Sequence, residues 1–279
     1  MNAFATPSSA TPSPQGTVPA LFVSHGAPLF AVEVGETGPA LTRWGQALRT
    51  QFPGLRGVVV LSPHWMARGV RVMTGAQPAT WHDFGGFPPE LYALQYPAPG
   101  APALAQEVLA LLQATGVAAQ GDADRPFDHG AWVPLMHLFP QADLPVVQVA
   151  LPVGAGPADV YALGAALRSL RGQGVLVVGS GSMTHNLAEF FGGAREPAPY
   201  VLEFSRWIES ALQRHDLQAL LAYREQAPHA QRAHPTDDHF LPLFFALGAA
   251  GDDLHAEYLS REVMYSMLAM DAFALQATA

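Results

Sequence analysis

Three histidines that lie far apart in the chain each come at or just after an apolar, β-branched run. The pairs are residues 20–24 with His25, residues 58–61 with His64, and residues 175–178 with His185. Such runs are typical of buried parallel strands, and open α/β sheets bind ligands outside the carboxyl ends of their strands. Imidazole is the commonest protein ligand of metal ions. The pattern therefore predicts a histidine-rich metal site on an α/β scaffold.

Two further histidines lie in segments rich in turn-forming and acidic residues. His129 stands in the sequence Phe-Asp-His-Gly, where a structural turn residue is an equally sound interpretation. His239 follows two aspartates, and Thr236 or Asp237 is expected to cap a helix that has His239 in its first turn. The Gly-Ser-Gly stretch before His185 also suits a phosphate-binding turn, although it lacks the lysine of a Walker loop.

The composition limits both the metal ligands and the partners. The 279 residues include no cysteine, so thiolate ligands, disulfides and cysteine nucleophiles are excluded, and His, Asp and Glu remain as metal-binding side chains. The formal net charge is −9, and all 14 basic residues are arginines scattered along the chain. A nucleic-acid partner is not expected, because proteins that bind nucleic acids usually carry a basic stripe.

Residues 1–17 are expected to form a disordered N-terminal tail, and residues 18–279 a single domain. The tail consists mostly of Ser, Thr, Pro, Ala and Gly without a charge, and it lacks the basic and apolar regions of a secretory signal. No run approaches the roughly 18 apolar residues that a membrane span requires. We therefore expect a soluble, cytoplasmic protein without a membrane partner.

Strands and helices alternate along the chain and must position the histidines. Strands are predicted at residues 20–24, 58–61, 70–74, 146–151 and 175–178, and edge strands at 254–259 and 264–268. Helices are predicted at residues 39–52, 101–115, 158–170, 199–214, 217–224 and 240–247, with a short one ending at Phe139. This alternation predicts a single α/β domain with a mostly parallel central sheet and helices on both faces.

Taken in order, these segments resemble the class III extradiol ring-cleavage dioxygenases, and in particular their 4,5-DOPA dioxygenase-like branch. The segments that carry the resemblance are residues 21–28, 60–65, 82–88, 96–100, 127–132, 183–187 and 235–243. Each segment is short, but the ordered set is specific. The resemblance extends over about residues 20–268.

The resemblance implies a mononuclear non-haem Fe(II) site that binds a catechol and O2 side by side. His25 and His64 match two metal ligands. His239 stands where protocatechuate enzymes have a glutamate and the DOPA branch has a histidine. His185 matches an acid/base residue beside the metal, which in zinc-bound members of the branch acts instead as a fourth ligand. His129 matches a second acid/base or substrate-orienting histidine.

The resemblance leaves alternatives for the role of the pocket residues and for the identity of the metal ion. His82, Phe84 and Phe87 are expected to line the pocket for a DOPA-like catechol, although aromatic residues also suit core packing. Zn²⁺ is expected in the purified protein even if Fe(II) is the functional ion, because nitrogen donors bind zinc more tightly. A zinc hydrolase with His185 as the base, or a zinc-binding protein without activity, stays open as an alternative. Asp238 is the next candidate ligand if His239 is not one.

Overall fold

The computed structural model describes residues 16–190, 196–251 and 254–277, which contain ten strands and nine α-helices. The strands are β1 (Ala20–Ser24), β2 (Gly57–Ala67), β3 (Val70–Met73), β4 (Ala119–Asp122), β5 (Val146–Pro152), β6 (Val175–Gly181), β7 (Leu254–Ser260), β8 (Val263–Met264), β9 (Leu268–Ala269) and β10 (Ala272–Ala277). The helices are α1 (Thr37–Gln51), α2 (Pro102–Ala114), α3 (His129–Leu138), α4 (Pro157–Ala166), α5 (Pro199–Gln213), α6 (Leu217–Leu221), α7 (Tyr223–Gln226), α8 (Ala230–Ala233) and α9 (Pro242–Ala250).

Eight of the strands form one sheet in the order β4-β3-β5-β2-β6-β1-β10-β7. The four central strands, β5, β2, β6 and β1, run parallel to one another, and their apolar side chains are mostly buried, although Met66 near the end of β2 is 47% exposed. Antiparallel pairing appears only toward the sides, where β3 joins β5 and where β10 joins β1 and β7. The prediction of an α/β domain with a mostly parallel sheet is confirmed.

Alternation along β6 shows that helices cover both faces of the sheet. A Cβ added at Gly179 would lie 1.9 Å from the carbonyl oxygen of Pro242, so this residue faces α9 across a close backbone contact. The hydroxyl of the next residue, Ser180, donates a hydrogen bond to the carbonyl oxygen of Gly130 in α3. Because successive strand residues point to opposite faces, α9 and α3 lie on opposite sides of the sheet.

A bulge in β2 determines where His64 points. The ladder pairs Ser62 with Ala150 and Met66 with Leu151. Two consecutive residues of β5 thus face residues that are four positions apart on β2, and the intervening segment leaves the ladder. Pro63 has no N–H to donate to a ladder, which explains the interruption. The expectation that the strand ends before His64 is therefore wrong, because the strand continues beyond this bulge.

The C-terminal region differs in part from expectation. The predicted strand at 254–259 is the edge strand β7, but 264–268 is instead part of a short β8–β9 hairpin. The last strand of the large sheet, β10, was not predicted, because its alanine-rich sequence has a low strand propensity. Residues 1–15 of the predicted tail lie outside the described residues. None of the helices in the described ranges is long and apolar enough to cross a bilayer.

Candidate metal centre

Three histidines from three different elements meet beyond the carboxyl ends of the central strands. His25 follows β1, His64 lies in the bulge of β2, and His239 lies in the turn before α9. His64 Nε2 is 3.2 Å from His25 Nε2 and 3.2 Å from His239 Nε2. One ligand atom from each residue lies within 4.8 Å of the others. The structure thus brings together the three residues that the family resemblance implies as ligands.

His239 reaches this position from a turn rather than from a helix. The expected first helical turn around His239 is absent, because α9 begins only at Pro242. Proline is favoured at the first position of a helix, where its missing N–H needs no partner. The backbone N–H of Phe240 instead donates to the carbonyl oxygen of Asp237, which closes the preceding turn at 2.8 Å.

The tautomer of His25 follows from its hydrogen-bond partner. Ser180 Oγ donates its hydrogen to the Gly130 carbonyl oxygen, and it lies 3.2 Å from His25 Nδ1. A serine hydroxyl has a single hydrogen, so it must act as the acceptor toward this imidazole. The proton of neutral His25 is therefore on Nδ1, and Nε2 has a free lone pair.

Carboxylates orient the other two imidazoles in the same way. Asp238 Oδ2 lies 2.5 Å from His239 Nδ1, and Asp83 Oδ2 lies 3.5 Å from His64 Nδ1. Each carboxylate favours a proton on the nearby Nδ1 and leaves Nε2 unprotonated. Metal-binding histidines typically have a hydrogen-bond partner of this kind on the ring nitrogen that does not bind the metal. The hydrogen bond from His239 also holds the pKa of Asp238 below its usual range.

Burial keeps the three imidazoles neutral. Burial is the largest influence on all three, and it lowers the pKa of His25 and His239 well below the ordinary value and that of His64 to about 4. The neighbouring histidines lower each pKa further, because a second positive charge nearby is unfavourable. At pH 7 these side chains are therefore in the deprotonated form that binds a metal ion.

This donor set fits a divalent transition metal. Nitrogen ligands about 2.1 Å from one ion and about 90–110° apart are separated by about 3.0–3.4 Å. The two measured Nε2 separations of 3.2 Å fall in this range. Neutral nitrogen donors suit iron, zinc and their first-row neighbours better than calcium or magnesium, which prefer oxygen.

His129 begins α3 and lies against His64, with 3.9 Å between the ring centroids. Asp83 Oδ1 accepts hydrogen bonds from the backbone N–H of His129 at 2.8 Å and from its Nδ1 at 3.0 Å. Burial acts to raise the pKa of Asp83, but the hydrogen bonds and charge of His129 outweigh it, so the net shift is downward. Asp83 was not predicted as a site residue, because its only signal in the sequence is that it is an acidic residue within the aromatic loop.

A buried carboxylate ties the β2 bulge to the start of α3. Asp128 is fully buried and caps α3. Its side chain accepts hydrogen bonds from the Ser62 hydroxyl, the Arg125 guanidinium, the Gln148 amide and the backbone N–H of Ala131. This network fixes the two segments that carry His64 and His129.

The ring of His185 stacks on that of His239. The ring centroids are 3.6 Å apart and the planes differ by only 4°. Its backbone N–H donates to the carbonyl oxygen of Ala233 at 2.8 Å. A second contact, between His234 Nε2 and the Met183 carbonyl oxygen at 2.8 Å, holds the segment that carries His185. Burial lowers the pKa of His185, so the ring is neutral at pH 7.

A cavity of about 370 Å³ opens above the five histidines. Phe84 and Phe87 of the aromatic loop line it, together with Leu187 and Phe190. His82, which was also expected there, is not among the lining residues. Its Nε2 lies 3.0 Å from the Leu94 carbonyl oxygen, and its ring meets that of Phe84 edge to face, with 5.7 Å between the ring centroids. His82 and Phe84, two residues apart in the same loop, thus point in different directions.

Comparison with known proteins identifies the family. Residues 19–274 match the profile of the family described as the catalytic LigB subunit of aromatic ring-opening dioxygenase. The chain belongs to this LigB family. The predicted membership of the extradiol ring-cleavage dioxygenases is thereby confirmed, and the protein is an enzyme of that class.

The alignments with known relatives cover most of this chain. A protein of Beta vulgaris named "4,5-DOPA dioxygenase extradiol" is 37% identical over 240 residues, which is 85% of this chain and 89% of the relative. A protein of Escherichia coli (strain K12) with the same name is 36% identical over 239 residues, which is 83% of this chain and 85% of the relative. The crystal structure of an uncharacterized protein from Escherichia coli K12 superposes with a TM-score of 0.75 at 28% identity, covering 92% of this chain and 99% of that one.

Proposed function

We propose that this LigB-family enzyme opens the ring of a catechol with O2 at an Fe(II) ion held by His25, His64 and His239. His129 and His185 serve as the acid/base residues in this proposal. The observation that carries it is the convergence of three Nε2 lone pairs, each freed by a partner on the opposite nitrogen. The names of the relatives make DOPA the reference substrate.

When bound, Fe(II) would supply positive charge and open coordination positions for the catechol oxygens and for O2. His25, His64 and His239 are neutral, so they leave the charge of a divalent ion uncompensated. A catechol that has lost its hydroxyl protons is the ligand that best balances this charge. The ligand set thus favours catechols over phenols with one hydroxyl, which can supply only one negative charge.

His129 and His185 are arranged to move those protons. Asp83 holds the proton of His129 on Nδ1, which leaves Nε2 as the acceptor for a catechol hydroxyl proton. His185 is neutral at pH 7 because burial lowers its pKa, so it too can accept a proton. An imidazole lone pair lies in the ring plane, and two parallel rings stacked 3.6 Å apart do not direct their lone pairs at one ion. This geometry supports an acid/base role for His185 over that of a fourth ligand.

The walls of the cavity complete the proposed site. The rings of Phe84 and Phe87 meet edge to face with centroids 5.4 Å apart, and they offer apolar surface to a catechol ring.

We also propose that residues 18–279 form the catalytic domain of a cytoplasmic protein without a nucleic-acid partner. The net charge of −9 supports the last point.

Reconstitution with a defined metal tests the proposal. Protein stripped of metal and loaded anaerobically with Fe(II) is expected to consume O2 only when a catechol such as DOPA is added, and to form a yellow ring-opened product. The same protein loaded with Zn²⁺ is the control and is expected to consume none. Ester or amide hydrolysis by the zinc form, with no O2 uptake by the iron form, would favour a zinc hydrolase instead.

A further inference from the structure

An arginine beside the metal centre takes no part in the reaction proposed above. The side chain of Arg125 is only 10% exposed, and its guanidinium carbon lies 4.8 Å from the centroid of the Trp65 ring and 5.0 Å from that of Trp81. One terminal nitrogen, Nη2, donates hydrogen bonds to the carbonyl oxygen of His64 at 3.2 Å and to Asp128 Oδ2 at 2.5 Å. A single buried guanidinium thus joins two aromatic rings, a carboxylate and a backbone carbonyl.

Each of these contacts belongs to a segment that carries a part of the site. The bonds to the His64 carbonyl and to the ring of Trp65 hold the bulge of β2. The bond to Asp128 holds the start of α3, whose first residue is His129. The contact with Trp81 holds the aromatic loop, which supplies the carboxylate between the two imidazoles. The arginine therefore connects three segments that are distant in sequence.

The aromatic loop is attached to the same region by its backbone. The Trp132 indole N–H donates to the carbonyl oxygen of Trp81 at 3.0 Å, and the backbone N–H of Trp81 donates to the carbonyl oxygen of Phe127 at 2.8 Å. The side chain of Trp81 is 43% exposed on its outer side and contacts Arg125. Asp83 follows only two residues later, so its position depends on where this tryptophan is held.

The contacts of this side chain require a guanidinium and not merely a positive charge. A guanidinium is planar and lies flat on aromatic rings, whereas an ammonium is a compact, strongly hydrated charge. A lysine at position 125 would keep the charge opposite Asp128. Its side chain ends one bond short of the Nη2 position, however, and it has no flat face to offer to the indole rings of Trp65 and Trp81.

We propose that Arg125 is a positioning residue of the metal site. Lying over Trp65 and Trp81, it fixes the orientation of His64 and the place of the loop that carries Asp83. It does not line the cavity, so it acts through these neighbours rather than on the catechol. The inference rests on the proposed function, because it takes His64 as a metal ligand.

Arg125→Lys tests this role in the full-length protein without using the reaction. The dissociation constant for Zn²⁺, measured by competition with a chromogenic chelator, is expected to rise by about 10–100-fold, as for other groups that orient metal ligands. The visible absorption spectrum of the Co²⁺-loaded protein reports the arrangement of the ligands, and we expect it to shift. In the iron-loaded protein, kcat is expected to fall by about tenfold.

Arg49→Lys is the matched control, because Arg49 makes the same kinds of contact away from the site. Its guanidinium lies 5.2 Å from the centroid of the Phe139 ring, and its Nη1 donates to Asp143 Oδ2 at 3.1 Å. The substitution removes the same planar group and keeps the same charge. We expect it to leave the Zn²⁺ affinity and the Co²⁺ spectrum unchanged.

Two variants of Trp81 provide a second test that leaves the hydrogen bonds of Arg125 in place. Trp81 is partly exposed, so its replacement is compatible with folding even if Arg125→Lys does not fold. Trp81→Leu removes an aromatic ring from the guanidinium and is expected to weaken Zn²⁺ binding by about two- to fivefold. Trp81→Phe keeps a ring there and is expected to restore most of this loss.

The outcomes separate this inference from the proposed function. Wild-type Zn²⁺ affinity and Co²⁺ spectrum in Arg125→Lys would overturn the inference, even if that variant is less stable to urea. Equal losses in Arg49→Lys, or equal affinities of Trp81→Leu and Trp81→Phe, would also overturn it. If iron-loaded wild-type protein opens no catechol but the metal affinities follow the predicted order, the proposed reaction is wrong and the role of Arg125 stands.

Discussion

Asp83→Asn is the substitution that most sharply tests how the site is organised. One oxygen of Asp83 accepts two hydrogen bonds from His129, at 2.8 and 3.0 Å, and the other faces His64 Nδ1 at 3.5 Å. Asparagine keeps the size of the side chain but replaces one oxygen with an N–H donor. It can therefore no longer offer an acceptor to both imidazoles, and the tautomer of one of them is no longer fixed.

The expected loss follows from the interaction that is removed. A hydrogen bond to a charged group contributes about 1.5–3 kcal/mol, and removing a partner of this kind lowers activity or metal affinity about 10–100-fold. If the interaction orients His129 during proton transfer, kcat falls by about 10–100-fold while KM changes little. We expect the metal content to stay near the wild-type value, because the partners of His25 and His239 are untouched.

Steady-state kinetics and iron content, measured on the same preparations, decide the outcome. Asp124→Asn is the control, because this exposed aspartate lies outside the site and its neutralisation is expected to leave kcat unchanged. Wild-type kcat in Asp83→Asn would refute the orienting role of this carboxylate. Loss of the metal would show instead that Asp83 acts mainly through His64.

Three further predictions concern the acid/base residue, a buried carboxyl group and the packing of the sheet. His185→Ala is expected to lower kcat by about 10²–10⁴-fold and to retain most of the metal, and metal loss measured by elemental analysis would make it a ligand. Burial raises the pKa of Asp271 to about 7, so the folded state binds this proton more tightly than the unfolded chain, and stability falls as the pH rises from about 4 to about 7. Asp271→Asn is expected to weaken this dependence and to raise the free energy of unfolding near pH 8 by up to about 4 kcal/mol. The free energy of unfolding is measured by urea denaturation at several pH values, and the same pH dependence in both proteins would contradict the raised pKa of Asp271. Gly179→Ala would place a Cβ 1.9 Å from the Pro242 carbonyl oxygen, so we expect the free energy of unfolding to fall by about 1–3 kcal/mol. An unchanged melting temperature would contradict the close packing of α9 on β6.

The central strands were predictable because their apolar runs are buried on both faces of the sheet. An apolar run enclosed on both faces needs no detailed tertiary information, and the observed β1 has the predicted bounds. His25 directly follows such a run, so its place at the sheet edge could be foreseen. The bulge at His64 could not, since its shape depends on the partner strand and on Asp128 from a distant segment.

The groups around the histidines were harder to predict than the histidines themselves. Asp83 bonds to His129 across 46 positions of sequence, and only the folded position of the aromatic loop brings them together. His82 and Phe84 are two residues apart in an irregular loop, where no periodicity indicates which side chain faces the cavity. Segment β10 was missed because its pairing with β1 and β7, rather than its own composition, makes it a strand.

The central claim is that His25, His64 and His239 share one divalent ion through their Nε2 atoms. Anomalous diffraction at the iron absorption edge, on crystals loaded anaerobically with Fe(II), measures this directly. A single peak about 2.0–2.3 Å from all three Nε2 atoms, with His185 farther away, is the predicted result. A peak elsewhere, or one bound by His185 in place of His239, would contradict the account.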